Sequence, residues 1–264
     1  MTNFFDFVYR TGSTSTALCG VRGGVLGQQM QKAYLIGADS IVDQIGDHQA
    51  CEAIEAAFVR QGLHPRRLTI DPLKAGWDTP VEPDHFRSGL APVEALSRAL
   101  ELIDKGDASA VIIEGEDLLR TAYQRHERNA LMLVYGDDYP LPTAYADVAK
   151  AFMAAHRISE RRFKRIAELL YRNYEKTYTG THGKPPRDSK WFSPLNDLFR
   201  GVDCANPNVD FSGKLIVANR KVVDCCELDG EKRIEVLAVG VDKIGDGPEH
   251  LEEIARYHHL KQAY

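Results

Sequence analysis

The sequence lacks three things that would each have pointed to a function. No apolar run approaches the roughly 18–20 residues that a membrane helix needs, and the opening residues lack a basic segment followed by a compact apolar one. No sign of charge dominates: 33 Lys and Arg against 38 Asp and Glu leave a formal net charge of −5 over 264 residues, which offers no electrostatic footprint for nucleic acid or an anionic membrane. Cysteine is sparse and odd in number. Cys19, Cys51, Cys204, Cys225 and Cys226 do not form the even, regular framework of a secreted disulfide protein. A soluble, cytoplasmic chain with reduced thiols, no membrane span and no nucleic-acid partner is expected.

Signatures of metal and phosphate chemistry are missing as well. Cys225-Cys226 would project to opposite faces of a strand, which argues against one shared metal ion. His126-Glu127 and His258-His259 lack the His-Glu-x-x-His spacing of a zinc peptidase. Gly23-Gly24-Val25-Leu26-Gly27 has neither the flanking strand nor the Lys-Ser/Thr pair of a phosphate loop. No metal and no covalently bound cofactor are expected.

What is present is an ordinary globular composition, 44% hydrophobic, sufficient for one large domain or two small ones. Residues 1–30, with Phe4, Phe5 and Phe7, a Ser/Thr cluster and several glycines, read as an arm. Ala33-Tyr34-Leu35-Ile36-Gly37 predicts a buried strand. Ala50, Ile54, Ala57 and Phe58 recur at helical spacing over 47–61, and Gly62 stands where a C-cap belongs. Pro65, Pro72, Pro80 and Pro83 predict an irregular connection to Asp84.

A stronger unit follows. Ser88 is a candidate cap for a helix carrying Leu90, Val93, Leu96, Leu100 and Ile103 on one stripe, ended by Gly106. Ala110-Val111-Ile112-Ile113 predicts a core strand, with Gly115-Glu116-Asp117 as a polar, solvent-facing turn at its carboxyl end. Ligand sites in open α/β folds lie beyond such strand ends. Residues 143–178 carry two amphipathic helical patterns, the second beginning near Ser159-Glu160. Arg161, Arg162, Lys164 and Arg165 form a basic patch, which charge patterning reads as a solvated face. Residues 178–213 read as an irregular loop, Lys214–Asn219 and Lys232–Val239 as strands, and 249–264 as helical.

Ser88-Gly89-Leu90, the helix through Ile103, the run Gly106-Asp107-Ala108-Ser109-Ala110-Val111-Ile112-Ile113 and Gly115-Glu116 resemble the nucleophile helix and following strand of the thiolase superfamily. Tyr139-Pro140-Leu141-Pro142-Thr143-Ala144-Tyr145, and Val223-Asp224-Cys225-Cys226 before Asp229-Gly230, are similar to its sterol-carrier-protein-type branch, and all stand in the family's order. The resemblance covers residues 31–264. It implies an α/β fold like the N-terminal half of a thiolase, a layered mixed sheet with helices on both faces plus a helical and irregular loop region. The implied boundaries are a core of 31–140 and 210–264 with 141–209 inserted.

The same resemblance implies CoA or acyl-CoA as ligand, with Phe86, Ser88, Gly89, Gly115, Glu116 and His182 as candidate contacts. It also places Phe86 where a thiolase has its nucleophilic cysteine. Phenylalanine cannot form an acyl-enzyme, and the family's C-terminal catalytic histidine and second cysteine have no counterpart here, so no catalytic residue is assigned. The chain ends at Tyr264, where the family would continue into a second half. The expected function is a catalytically degenerate thiolase-like protein that keeps an acyl-CoA-type cleft or interaction surface. The alternatives are a non-catalytic subunit, homo- or hetero-oligomeric, completed by a thiolase half or an OB-fold acyl-CoA-binding partner, and a cysteine-independent lyase or retro-aldolase using a tyrosine such as Tyr123 or Tyr135. On the residues alone His182 reads as a surface histidine, since no nucleophile or acid is identifiable beside it.

Overall fold

The computed structural model describes residues 31–76, 79–133, 136–185, 189–204, 208–226, 233–242, 244 and 248–263. The proposed arm at 1–30, Tyr135 and Asp229-Gly230 lie outside them. Along the chain run β1 (Ala33–Val42), β2 (Ile45–Gly46), α1 (Gln49–Arg60), β3 (Arg66–Ile70), β4 (His85–Phe86), α2 (Ala91–Asp104), β5 (Ala110–Leu118) and α3 (Arg125–Leu131). They are followed by α4 (Leu141–Ala155), α5 (Glu160–His182), α6 (Gly201–Cys204), β6 (Asp210–Asn219), α7 (Arg220–Cys225), β7 (Ile234–Val236), α8 (Leu251–Arg256) and α9 (His258–Ala263). The described residues divide into two compact units, one within 31–128, 208–241 and 263, the other within 129–207 and 242–262.

The first unit is a mixed seven-stranded sheet in the order β2-β1-β6-β5-β3-β4, with β7 also paired to β1. β3 runs parallel to β4 and β5, whereas β6 lies antiparallel between β1 and β5. Alternation along the strands sends Leu35, Val111, Ile113, Leu215 and Val217 to one face, packed with α2, and Tyr34, Ile36, Ile112 and Ile216 to the other, packed with α1 and α7. This is the layered α/β architecture that the thiolase resemblance implies. Gly37 sits at a register irregularity of β1, where a Cβ would stand 2.8 Å from Ile54 Cδ1 and 3.2 Å from Cys51 Sγ. A β-carbon there would make the Ile54 and Cys51 side chains of α1 give way.

Several expectations are corrected. The Pro-rich connection is shorter than read, because Arg66–Ile70 forms the core strand β3, with Leu68 fully buried. Gly115-Glu116-Asp117 belong to β5 and pair with β6, so they are a strand end and not a turn. In α2 the buried face is Ala91, Ala95, Leu96, Ala99, Leu102 and Ile103, while Leu90 is exposed. Small alanines carry little hydrophobic weight, yet they seat the helix close to the sheet. Ser88 does not cap by position, since Leu90 is the N-cap residue. Cys225 and Cys226 lie at the end of a helix, not in a strand.

The second unit is helical. α4 buries Ala144, Ala146, Ala149 and Met153, and α5 starts at Ser159, whose Oγ accepts the Arg162 N–H. α8 packs on α4, with His156 stacked on Tyr257 and bonded through Nε2 to the Ala255 carbonyl. Residues 242–262, read from sequence as part of the core, therefore group with the helices. No described helix is long and apolar enough to cross a membrane.

Candidate functional site

At the carboxyl ends of β3 and β5 a cleft of about 330 Å³ opens beside the start of α2. Its apolar lining comes from Ile70, Ile113, Phe211, Ala91 and Pro92, and its polar lining includes Asp71, Ser88, Glu114, Glu116 and Asp117. Gly115 and Gly213, cross-strand partners of β5 and β6, complete it. A Cβ on Gly115 would lie 2.9 Å from Ile70 Cβ and 3.1 Å from Ile70 O, so glycine also sets the spacing of β5 and β3.

Four carboxylates line the cleft, but three are already engaged. Asp71 receives His85 Nδ1 at 2.7 Å and Arg87 Nη2 at 2.8 Å. Burial by itself would raise the Asp71 carboxyl, but the bonds to His85 and Arg87 outweigh it and hold the pKa below the ordinary value. Arg87 reaches further, to the carbonyl oxygens of Gly76 (2.7 Å) and Thr79 (2.9 Å), and so ties the connection between β3 and β4 to the sheet. Asp117 accepts the Leu73 N–H at 2.8 Å and the Tyr123 hydroxyl at 2.7 Å. Glu114 pairs with Arg67 at 2.8 Å. Glu116, exposed on the rim, is the remaining carboxylate.

Tyr123 is buried, and its oxygen also accepts the Lys74 N–H at 2.9 Å while Lys74 Nζ lies 4.6 Å from the ring centroid. Burial and the bond to Asp117 push this phenol up to about 12.

From Leu90 to Glu94 the helix start has no spare backbone donor. Leu90 N–H donates to Ser88 Oγ, Ala91 N–H to Ser88 O, and both Val93 and Glu94 N–H to Leu90 O. Pro92 has none. Ser88 Oγ in turn donates to Glu94 Oε2 at 2.7 Å. None of the lining residues is a cysteine. Cys51, fully buried, belongs to the cluster on the opposite sheet face, and burial first and Asp39 second push its thiol up to about 12.

Of the sequence candidates, the structure brings Ser88, Gly115 and Glu116 together on the cleft. Phe86 is half-buried and packs against the α2-side cluster, outside the lining. Gly89 is also outside it, and a Cβ there would meet nothing within 4 Å. His182 is the last residue of α5, stacked on Tyr178 with Nδ1 3.0 Å from the Tyr178 carbonyl. It belongs to the helical unit and the cleft to the sheet unit. Asp71, Phe211 and Gly213 were not singled out from sequence. Asp71 follows a strand that was read as loop, and Gly213 becomes informative only once its register opposite Gly115 is known. Among the described residues no group of three or more His, Cys, Asp or Glu could hold a metal ion.

A mixed sheet layered between helices, with a cleft at its strand ends, defines the class as a layered α/β fold. No family model matches the chain, and no curated protein sequence matches it. Among solved structures it is similar to the Ltp2-ChsH2(DUF35) aldolase, at 18% identity and a TM-score of 0.52, over 88% of this chain and 65% of that one. It is also similar to a monomeric SCP2-thiolase like protein type 1 from Mycobacterium smegmatis, at 12% identity and a TM-score of 0.46, over 81% of this chain and 51% of that one. At 18% identity the likeness to the aldolase is one of fold. The chain spans less than two thirds of the length of either.

Proposed function

We propose that this chain is a thiolase-like protein without thiolase chemistry, whose cleft at the ends of β3 and β5 receives the acyl end of an acyl-CoA-type ligand. The observation that carries the reading is the state of the α2 start. A thiolase needs a thiolate there and free N–H groups to stabilise charge; here the cleft has no cysteine, and the donors from Leu90 to Glu94 are spent on Ser88 and Leu90. The cleft is at the small end of the range for ligand pockets, which suits an acyl group better than a whole nucleotide. Its apolar side chains would stabilise that group by about 0.8 kcal/mol per buried methylene.

A thiolysis assay with acetoacetyl-CoA and free CoA tests the loss of chemistry. Neither the wild type nor Phe86→Cys should turn over, because restoring a thiol does not restore the donors. CoA-dependent cleavage by the pure wild-type chain would overturn the reading.

A second reading is carbon–carbon cleavage without an acyl-enzyme, supported by the fold likeness to an aldolase and by the Tyr123–Asp117 pair beside the cleft. It predicts release of free aldehyde or ketone from a β-hydroxyacyl-CoA, abolished in Tyr123→Phe. No carbonyl product from any of a series of such thioesters would discard it.

A further inference from the structure

Cys225 and Cys226 take no part in the cleft. Cys225 is the last residue of α7, and Cys226, at φ −87° and ψ 3°, is its C-cap. A strand would have sent the two side chains to opposite faces; the helix end instead brings the sulfurs to 3.9 Å. Cys225 is exposed, with Sγ 3.4 Å from the Val222 carbonyl, and Cys226 is half-buried against the cluster that holds Tyr34, Ile36 and Phe58. Cys51 provides the contrast, since it is enclosed on all sides and meets no second sulfur among the described cysteines.

We propose that Cys225 and Cys226 are a redox modification site, a vicinal dithiol that a low-molecular-weight disulfide converts to an intramolecular disulfide. The exposed Cys225, as its thiolate, attacks one sulfur of the small disulfide, forming a mixed disulfide and expelling one small thiolate. Cys226 then gives its proton to solvent and attacks Cys225 Sγ, expelling the second small thiolate. The protein loses two protons and two electrons, and the small disulfide becomes two thiols.

Side-chain rotation must bring the sulfurs from 3.9 Å to a bond of about 2.05 Å. Adjacent Cα atoms stand about 3.8 Å apart, closer than the roughly 4.4–6.8 Å of ordinary disulfides, so the ring is strained and readily reduced. Burial first, and the neighbouring Cys225 second, push the Cys226 thiol up to about 11. Closure is therefore the slower step near neutrality and accelerates as pH rises.

The test uses the full reduced chain, treated with excess glutathione disulfide, quenched in acid and peptide-mapped by mass. In the wild type the peptide holding 225–226 should lose two hydrogens and carry no glutathione at the end point, with the mixed disulfide persisting longer at pH 7 than at pH 9. Cys226→Ser should trap glutathione on Cys225, Cys225→Ser should lose most of the modification at this peptide, and dithiothreitol should restore the wild-type dithiol. A wild-type chain that retains glutathione on Cys225 at both pH values would contradict closure. Modification confined to Cys19 or Cys204, with 225–226 untouched, would overturn the site.

Discussion

The two units distribute their apolar residues very differently. In the sheet unit, two buried clusters cover both faces of the sheet, and large side chains such as Phe58, Leu68, Ile103, Ile112 and Ile216 are sealed almost completely. In the helical unit the buried cluster is Ala146, Ala149, Met153 and Leu198, and the 23-residue α5 buries Tyr171 alone while Ile166, Leu169 and Leu170 are exposed. α5 relies on other devices: the Ser159 cap, Gly183 in the left-handed region at its end, and ion pairs one turn apart, Lys164–Glu160 and Arg172–Glu168. Such devices contribute tenths of a kcal/mol to about 1 kcal/mol each, against about 2–5 kcal/mol for a buried aliphatic side chain truncated to alanine. The helical unit should open first, and the cleft sits on the more rigid one.

Truncating the packed sheet should have the largest effect. Ile112→Ala is expected to cost about 4 kcal/mol and Met153→Ala about 2 kcal/mol, read from urea denaturation; equal losses would break the contrast. Gly115→Val should cost about 3 kcal/mol, since the new side chain drives into Ile70, and it should narrow the cleft as well. Asp71→Asn should cost about 2 kcal/mol by weakening the hold on His85 and Arg87.

That same pair fixes a pH dependence. Because the folded Asp71 pKa is depressed, its contribution is complete above the ordinary value of about 3.9 and is lost as pH falls from there through the depressed value. Asp71→Asn should therefore flatten the acid limb of stability below about pH 4. Ser159→Ala should cost least, about 1 kcal/mol, and it should speed amide exchange along α5 while leaving β5 and β6 protected.

The sheet was legible in sequence wherever apolar residues clustered, as at 33–37, 110–113 and 214–219. β3 was not, because its Arg-Arg-Leu-Thr-Ile run buries only Leu68 fully, and prolines flank it on both sides. β1 extends to Val42, past the glycine that seemed to end it, because β6 pairs with its polar half. Of the α2 stripe read from sequence, Leu96 and Ile103 are buried, but the alanines at 91, 95 and 99 that share their face were not singled out. Of the twelve residues that line the cleft, Ser88, Gly115 and Glu116 followed from a resemblance. Asp71, Phe211 and Gly213 depend on strand register, a long-range property that local periodicity does not encode.

The central claim is that the cleft holds an acyl group without reacting with it. Calorimetric titration of the wild type with free CoA, acetyl-CoA and longer saturated acyl-CoAs tests this most directly, beside a Ser88→Phe chain whose cleft is filled. The account predicts saturable binding of the acyl thioesters, tightening by up to about 0.8 kcal/mol per methylene until the cleft is full, and lost in Ser88→Phe. Affinity independent of the acyl chain, or unchanged by Ser88→Phe, would contradict it.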